Sequence, residues 1–480
     1  MNYKMIFYTL GRVFLALSAL LLLPAAVALY FSEECLSAFL ISAAISFVLG
    51  ITLALVFKTK NHVIYAREGF AIVALVWLGF ASVGALPFFI GNEIHSFVDA
   101  IFETVSGFTT TGASILTDVE SMSKGLLFWR SFTHWIGGMG VLVFVMALLP
   151  SVSDRSVHLM RAEMPGPIFG KLVPRAKDTA RVLYLIYIVL TVIQIVLLLL
   201  GGMPLFDSVV HTFGTAGTGG FGIKADSIGG YSPYLQWVIA IFMLIFGVNF
   251  NLYYMLLIRK FKMALKSTEL WCYLAIVLVS VAIVCVDIYP MYQNFSEVLR
   301  QSVFQVSSII TTTGYATTDF NLWPGLSKAI LVVLMLVGAC AGSTAGGLKV
   351  SRVVLLFKNI GREFRKLLHP RSVNSVKFEG KTVDNNTIAT VTTYFATYMF
   401  CLVIVFLILS FEPFGFETNF TAAVACFNNV GPGLSGVGPA ANYAEYSDLS
   451  KIVLSLAMLL GRLEIYPMLL LFMPSLWSKE

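Results

Sequence analysis

Charge is scarce in this chain. Asp, Glu, Lys and Arg make up 12% of its 480 residues, about half the share carried by a soluble domain. That scarcity argues against a water-exposed globular enzyme. The six cysteines form no Cys-x-x-Cys pair, and most lie in apolar runs, where they read as small buried hydrophobes. The six histidines are scattered without metal-ligand spacing. No nucleophile–base constellation is visible either, so the chain is not read as an enzyme. Nothing calls for a bound cofactor.

What is present is apolar length. Hydrophobic residues reach 58%, and runs of about 20 of them recur along the chain, enough to cross a bilayer as helices. The fold class is therefore an all-α polytopic membrane protein. The first run, Val13–Phe31, lacks a clear small-x-small cleavage site and a second span follows at once. It reads as a retained helix.

The net charge of +6 does not imply nucleic acid, because the basic residues gather in short loops. Lys58, Lys60 and Arg67 form one group. Arg155, Arg161, Lys171, Arg175, Lys177 and Arg181 form another. Arg259, Lys260, Lys262 and Lys266 form a third, and Arg362, Arg365, Lys366, Arg371, Lys377 and Lys381 a fourth. By the positive-inside rule these loops face the cytoplasm, and so does the N-terminus.

Thr-Thr-Thr-Gly occurs twice, at Thr109–Gly112 and Thr311–Gly314. Two relatives complete a set of four: Gly217-Thr218-Gly219-Gly220-Phe221 and Asn429-Val430-Gly431-Pro432-Gly433. Glycines 112, 219, 314 and 431 lie roughly 95 to 117 residues apart, the period of a repeat. Two helices, at about 10–31 and 36–57, open the chain. A unit of helix, re-entrant half-helix with loop, and helix then appears four times: 69–90, 97–114, 125–149; 181–201, 204–222, 233–257; 270–290, 295–317, 325–357; 388–410, 418–433, 449–473. About ten spans result, with four pseudo-symmetric helix–pore loop–helix repeats around one central pore. The corresponding divisions are 1–68, 69–150, 151–258, 259–358 and 359–480. Asp99, Asp207 and Thr418 open three of the half-helices and are expected to cap them.

Non-helical backbone at membrane depth survives only when buried in protein or lining a water-filled path. Four Thr/Gly loops on one side can aim carbonyl and hydroxyl oxygens at a dehydrated cation. The expected filter is Thr110, Thr111, Gly112, Thr218, Gly219, Thr312, Thr313, Gly314, Val430 and Gly431. The loop glycines are shared throughout, so backbone carbonyls are expected to dominate over hydroxyls.

Three further features interrupt apolar runs. Arg462 lies near the middle of the last helix, with Glu464 close by in sequence. A mid-bilayer arginine must face a polar interior, either in an ion pair or beside the ion path as a barrier. The glycine-rich stretch 338–349 breaks the last helix of the third unit. Gly342 and Gly347 have Walker A spacing, but Leu348-Lys349-Val350 replaces Lys-Ser/Thr, so the stretch reads as a flexible occluding loop. Its Gly342, Gly346, Gly347 and Lys349 join Arg462 as gate candidates. Asn249 and Asn251 interrupt the second unit's last helix and suggest interhelical hydrogen bonds, or alternatively pore lining.

On these residues, together with Trp129-Arg130-Ser131, Trp135–Gly140, Gly247–Tyr254 and Gly461–Pro467, the chain resembles the TrkH/KtrB/HKT superfamily of potassium transporters. The two extra N-terminal helices resemble the TrkH branch and not KtrB. The resemblance implies potassium uptake across the bacterial inner membrane, with K+ as the transported ion. It also implies a homodimer attached to a cytoplasmic nucleotide-binding subunit of the TrkA type. The mid-helix arginine and the broken helix are the family's gate. Gly112 stands where a serine accompanies sodium transport in plant relatives, which favours potassium. The fourth loop departs from the pattern by lacking threonine, which implies modest selectivity. The competing reading from the residues alone is an ion-coupled secondary transporter of an organic solute, built on broken helices and internal repeats.

Overall fold

The computed structural model describes residues 1–59, 65–140, 176–372 and 374–477. The expected basic residues Lys60, Arg155, Arg161, Lys171 and Arg175, and the end of the helix at 125–149, lie outside them. Helices α1 (Tyr3–Tyr30) and α2 (Leu36–Val56) open the fold. They cross closely at Gly11 and Gly50: a Cβ on Gly11 would come 2.6 Å from the Ala54 nitrogen. Ser18 and Ser46 donate to the carbonyls of Ala43 and Phe14 on the facing helix, both at 2.9 Å. Small and hydroxyl residues drive helix contact where lipid removes the hydrophobic incentive.

Four units follow. The first has α3 (Ala66–Gly84), α4 (Leu86–Ile90), the half-helix α5 (Phe97–Phe108) and α6 (Lys124–Gly138). The second has α7 (Ala176–Leu200), the half-helix α8 (Leu205–Gly217), and α9 (Pro233–Phe246) with α10 (Phe250–Leu257). A short connecting helix, α11 (Phe261–Leu265), leads to the third: α12 (Thr268–Ile288), the half-helix α13 (Phe295–Ile310), and α14 (Gly325–Val337) with α15 (Val350–Leu368). A hairpin, β1 (Lys377–Phe378) and β2 (Lys381–Thr382), precedes the fourth: α16 (Asn385–Leu409), the half-helix α17 (Phe416–Phe427), and α18 (Asp448–Arg462) with α19 (Tyr466–Leu471).

Among the described residues six helices are long and apolar enough to cross a membrane. The sequence suggests about ten spans, and the difference lies in the closing helices of the units. α9 and α10 meet at 89°. α14 and α15 are separated by residues 338–349, and α18 and α19 by 463–465. α6 runs up to undescribed residues. The opening helices turn bare apolar faces outward, with Leu278, Val286, Phe400 and Leu407 all well exposed, as lipid-facing residues must be. The half-helices are almost wholly enclosed; every residue of α17 from Thr418 to Phe427 except Phe420 is buried.

The half-helix starts differ from expectation. The residues before the first turn are Ser96, Pro204, Asn294 and Gly415, and among them only Ser96 caps with its side chain. Asp99, Asp207 and Thr418 sit one turn inside. Acids nevertheless occupy all four first turns, as Asp99, Asp207, Glu297 and Glu417. There they complement the positive end of the helix dipole. Asp99 also pairs with buried Lys451 of α18 at 2.6 Å.

Candidate ion pathway

Each half-helix ends in the same backbone pattern. Just past the helix, one residue adopts a left-handed conformation: Thr110, Thr218, Thr312 and Asn429 have φ of 55°, 56°, 56° and 57°. The next amide, that of Thr111, Gly219, Thr313 or Val430, donates back to Ser106, Gly214, Ser308 or Ala425 at 2.8–2.9 Å. The glycine that follows has φ of 82° at Gly112, 77° at Gly220, 80° at Gly314 and 95° at Gly431. Only glycine adopts that conformation cheaply.

This superposition moves the second loop by one residue. Gly220, not Gly219, matches Gly112, Gly314 and Gly431. Gly219 instead occupies the place of Thr111, Thr313 and Val430. Its own lack of a side chain has another cause: a Cβ there would meet the His134 ring at 2.2 Å. The corrected register is legible in the aligned pairs Thr218-Gly219-Gly220-Phe221 and Thr312-Thr313-Gly314-Tyr315.

The loops close on one another. A Cβ on Gly112 would stand 2.0 Å from the Gly219 carbonyl oxygen, one on Gly220 1.9 Å from that of Thr313, one on Gly314 2.2 Å from that of Val430, and one on Gly431 2.6 Å from that of Thr111. First touches second, second third, third fourth, and fourth first. Among the described residues no N–H or O–H donates to the carbonyl oxygens of Thr110, Thr111, Thr218, Gly219, Thr312, Thr313, Asn429 or Val430, although all eight residues are buried. Buried carbonyls are ordinarily paired.

The hydroxyls are mostly committed elsewhere. Thr109 donates to Val105 at 2.6 Å and lies 2.8 Å from the Thr111 hydroxyl; Thr311 and Thr313 repeat this with Ser307 at the same distances. The Thr218 hydroxyl donates to the Gly217 carbonyl. The Thr-Thr-Thr motif is thus a brace for the loop. In the fourth loop Asn429 supplies the bracing: its amide donates to Thr111 at 3.0 Å and to the Met458 carbonyl at 2.9 Å.

Behind the first two loops stands a buried ion pair absent from the sequence-based candidates. Glu103 of α5 meets Arg130 of α6 at 2.5 Å. Glu103 also accepts from Ser114 and the Ile115 amide, both at 3.0 Å. Arg130 donates to the Gly222 carbonyl at 2.9 Å and lies 3.6 Å from the Phe221 ring. One pair therefore fixes the residues leaving both loops.

Beneath the ring is a cavity of about 50 Å³ bordered by Gly138, Gly342, Ser343, Lys349, Arg462 and Glu464. Arg462 makes no ion pair with Glu464. Its guanidinium donates to the carbonyls of Thr344 at 2.6 Å and Gly138 at 2.7 Å, and to that of Gly137. It ties the end of α6 to the segment 338–349. Glu464 pairs instead with buried Arg352 of α15, whose guanidinium stacks 4.2 Å over Tyr394.

Segment 338–349 reaches the ring directly. The Gly346 amide donates to the Thr312 hydroxyl at 2.7 Å, and a Cβ on Gly346 would stand 2.3 Å from the Asn428 carbonyl oxygen. Gly342 and Gly347 have φ of 71° and 75°, and Lys349 has φ of 75° despite its side chain, a strained geometry. The Lys349 ammonium donates to the Ala345 carbonyl. Among the described residues the Asn249 side chain shows no interhelical bond of the expected kind. It caps α10 at the 89° bend, accepting from Asn251 at 2.9 Å. That bend accommodates the segment, with the Phe250 amide bonded to Gly342 and the Cys340 amide to Gly247, both at 3.1 Å.

A multi-pass helical membrane protein with four half-helices converging on a ring of carbonyls is a narrow structural class. Residues 36–479 match the TrkH family, described as a cation transport protein, and the chain belongs to that family. It is 36% identical over 485 residues to the Trk system potassium uptake protein TrkH of Salmonella typhimurium, with all of both chains covered. It is 36% identical to TrkG of Escherichia coli K12, covering 95% of this chain and 94% of that one. The crystal structure of the potassium transporter TrkH from Vibrio parahaemolyticus superposes with a TM-score of 0.90 at 32% identity, with both chains fully covered. These relatives are transporters, and the chain is accordingly not an enzyme.

Proposed function

We propose that this chain takes up potassium through the four-loop ring, and that Arg462 and segment 338–349 close the path beneath it. The observation that carries the reading is the set of eight buried carbonyl oxygens that have no donor among the described residues. A dehydrated cation is the partner such oxygens suit, replacing its hydration shell with carbonyls. The C-terminal ends of the half-helices, aimed at the same place, add their negative dipole ends. Gly112 and its equivalents allow the loops to approach closely enough for one ion to be shared. Apart from Thr110, whose buried hydroxyl has no partner among the described residues, the threonine hydroxyls hold the loops and contribute little to coordination.

Arg462 places a positive charge below the ring and tethers the segment that touches Thr312. A cation leaving the ring meets that charge. The names of the relatives support potassium as the ion and a Trk system as the setting. In this reading the protein is a homodimer in the bacterial inner membrane, with the N-terminus in the cytoplasm. A TrkA-type nucleotide-binding subunit docks on the basic face around Arg362–Arg371. The organic-solute alternative is disfavoured, because the site offers backbone oxygens in a ring and no side-chain set for an organic group.

Rubidium-86 uptake into proteoliposomes tests the reading, with sodium and lithium as competitors. Uptake blocked by potassium and poorly by sodium is expected. Absence of uptake, or equal competition by lithium, overturns it.

A further inference from the structure

The glycine-broken segment beneath the ring is held by a carboxylate that the transport reading does not use. Glu269 stands in the first turn of α12 and is 5% exposed. Its Oε1 accepts from the Ala341 amide at 2.7 Å and from the Ser351 amide at 3.2 Å. Ala341 lies within the segment, and Ser351 is in the first turn of α15, directly after it. The Lys349 side chain does not cap α15, so Glu269 supplies a partner to one of that helix's orphan amides. A single oxygen thus pins two points that the chain separates by residues 342–350, Gly342, Gly346 and Gly347 among them.

Glu269 is itself held from outside. The hairpin β1–β2 turns through Glu379 and Gly380, with φ of 50° and 72°. Two positive φ values in a two-residue turn mark the I′ type, which favours Asn, Asp or Gly at its first position. Glutamate there accepts a backbone cost. Its Oε1 accepts from the Ser267 hydroxyl at 3.0 Å and from the Glu269 amide at 3.1 Å. The hairpin therefore braces the Ser267 cap of α12 and the amide of the residue that grips the segment.

The hairpin is also seated on the helices on either side. Phe378 is buried with Val376 and Val383 against Leu355 of α15 and Ile388 and Val391 of α16. Lys358 of α15 donates to the Lys377 carbonyl at 2.8 Å. Lys377, Gly380, Lys381 and Thr382 are exposed. One surface element thus touches the start of α12, the helix that follows the broken segment, and the helix that opens the last unit.

We infer that the 377–382 hairpin is a lever that sets the position of the broken segment, with Glu379 and Glu269 as its positioning residues. The inference rests on the proposed gating role of 338–349. Lifting the hairpin removes the Glu379 bonds to Ser267 and the Glu269 amide, displaces Glu269, and frees Ala341 and Ser351 together. The ring above, anchored by its own loop bonds and by the Glu103–Arg130 pair, keeps its geometry.

The experiment compares wild type, E379A, E379Q and E269Q in nanodiscs by hydrogen exchange, and in proteoliposomes by rubidium-86 uptake against sodium. E379A is expected to speed amide exchange across 338–351 and raise uptake roughly three- to tenfold, the scale of losing one net hydrogen bond. Its rubidium-over-sodium preference stays at the wild-type value. E379Q keeps an acceptor oxygen and is expected to behave as wild type. E269Q is expected to fall between. Unchanged exchange at 338–351 in E379A overturns the lever. Faster exchange accompanied by a lost ion preference overturns it too, because the hairpin then props the whole core. If wild type carries no rubidium, the transport reading fails while the exchange data still judge the linkage.

Discussion

The ring and the layer beneath it are built by opposite means. The ring uses all four units, repeats one backbone geometry in each, and presents uncharged oxygens. The layer below draws on α6, the 338–349 segment, α15 and α18, and relies on charged side chains: Arg462, Lys349, Arg352 and Glu464. Repetition suits the proposed filter, which must surround a spherical ion. Departure from repetition suits the proposed gate, since one unit's helix can then move while the others stay. The second loop carries no triple threonine and the fourth none at all, yet both keep the left-handed residue and the glycine. What is held constant is a path of φ and ψ angles.

The largest effect expected from breaking this contrast lies behind the ring. Arg130→Ala leaves Glu103 buried and unpaired, which costs about 3–5 kcal/mol. Thermal unfolding in detergent is expected to show a large drop in midpoint, and rubidium uptake to vanish. Next comes Gly112→Ser. A side chain at φ 82° beside the Gly219 carbonyl is strained by about 1–3 kcal/mol, and the neighbouring loop must shift. Uptake is expected to fall at least about tenfold with weaker discrimination against sodium, and Gly314→Ser should do the same. A marked inequality between the two would show that the ring is less symmetric in function than in geometry.

Arg462→Ala acts on the lower layer and has the opposite sign. It removes a charge and three carbonyl contacts, and uptake is expected to rise several-fold with ion preference intact. Arg462→Lys separates the two causes. It keeps the charge and loses the fork, so a low flux would assign the barrier to charge and a high one to the tether. The smallest effect is expected from Thr311→Val. Losing the hydroxyl brace costs about 1 kcal/mol, visible as a modest loss of thermal stability with the rubidium-to-sodium ratio unchanged. A changed ratio would return the hydroxyl to the coordination shell.

The membrane class, the four units and the loop positions could be read from the sequence because each leaves a local mark: apolar length, basic loops, a recurring Thr/Gly signature. The second loop was harder. Gly219 and Gly220 are adjacent, and composition cannot say which one takes the positive φ; the His134 ring and the Thr313 carbonyl, both distant in sequence, make that distinction. Arg462 stood out because charge in an apolar run is conspicuous. Its partners did not, because they are backbone carbonyls of Gly137, Gly138 and Thr344 on other units. Glu269 was hidden for a related reason. An acid in a helix's first turn is the ordinary complement to its dipole, so nothing in the sequence separates one that reaches across the fold.

The last contact of the ring also sets a clock on its making. Asn429 bonds Thr111 across 318 residues, and the fourth loop abuts the first. At synthesis rates of about 5–20 residues per second, the first loop is threaded into the membrane roughly a quarter of a minute to a minute before its partner exists. Until the final unit arrives, the nascent protein holds an arc and not a ring, and a chain cut short before residue 429 holds one permanently.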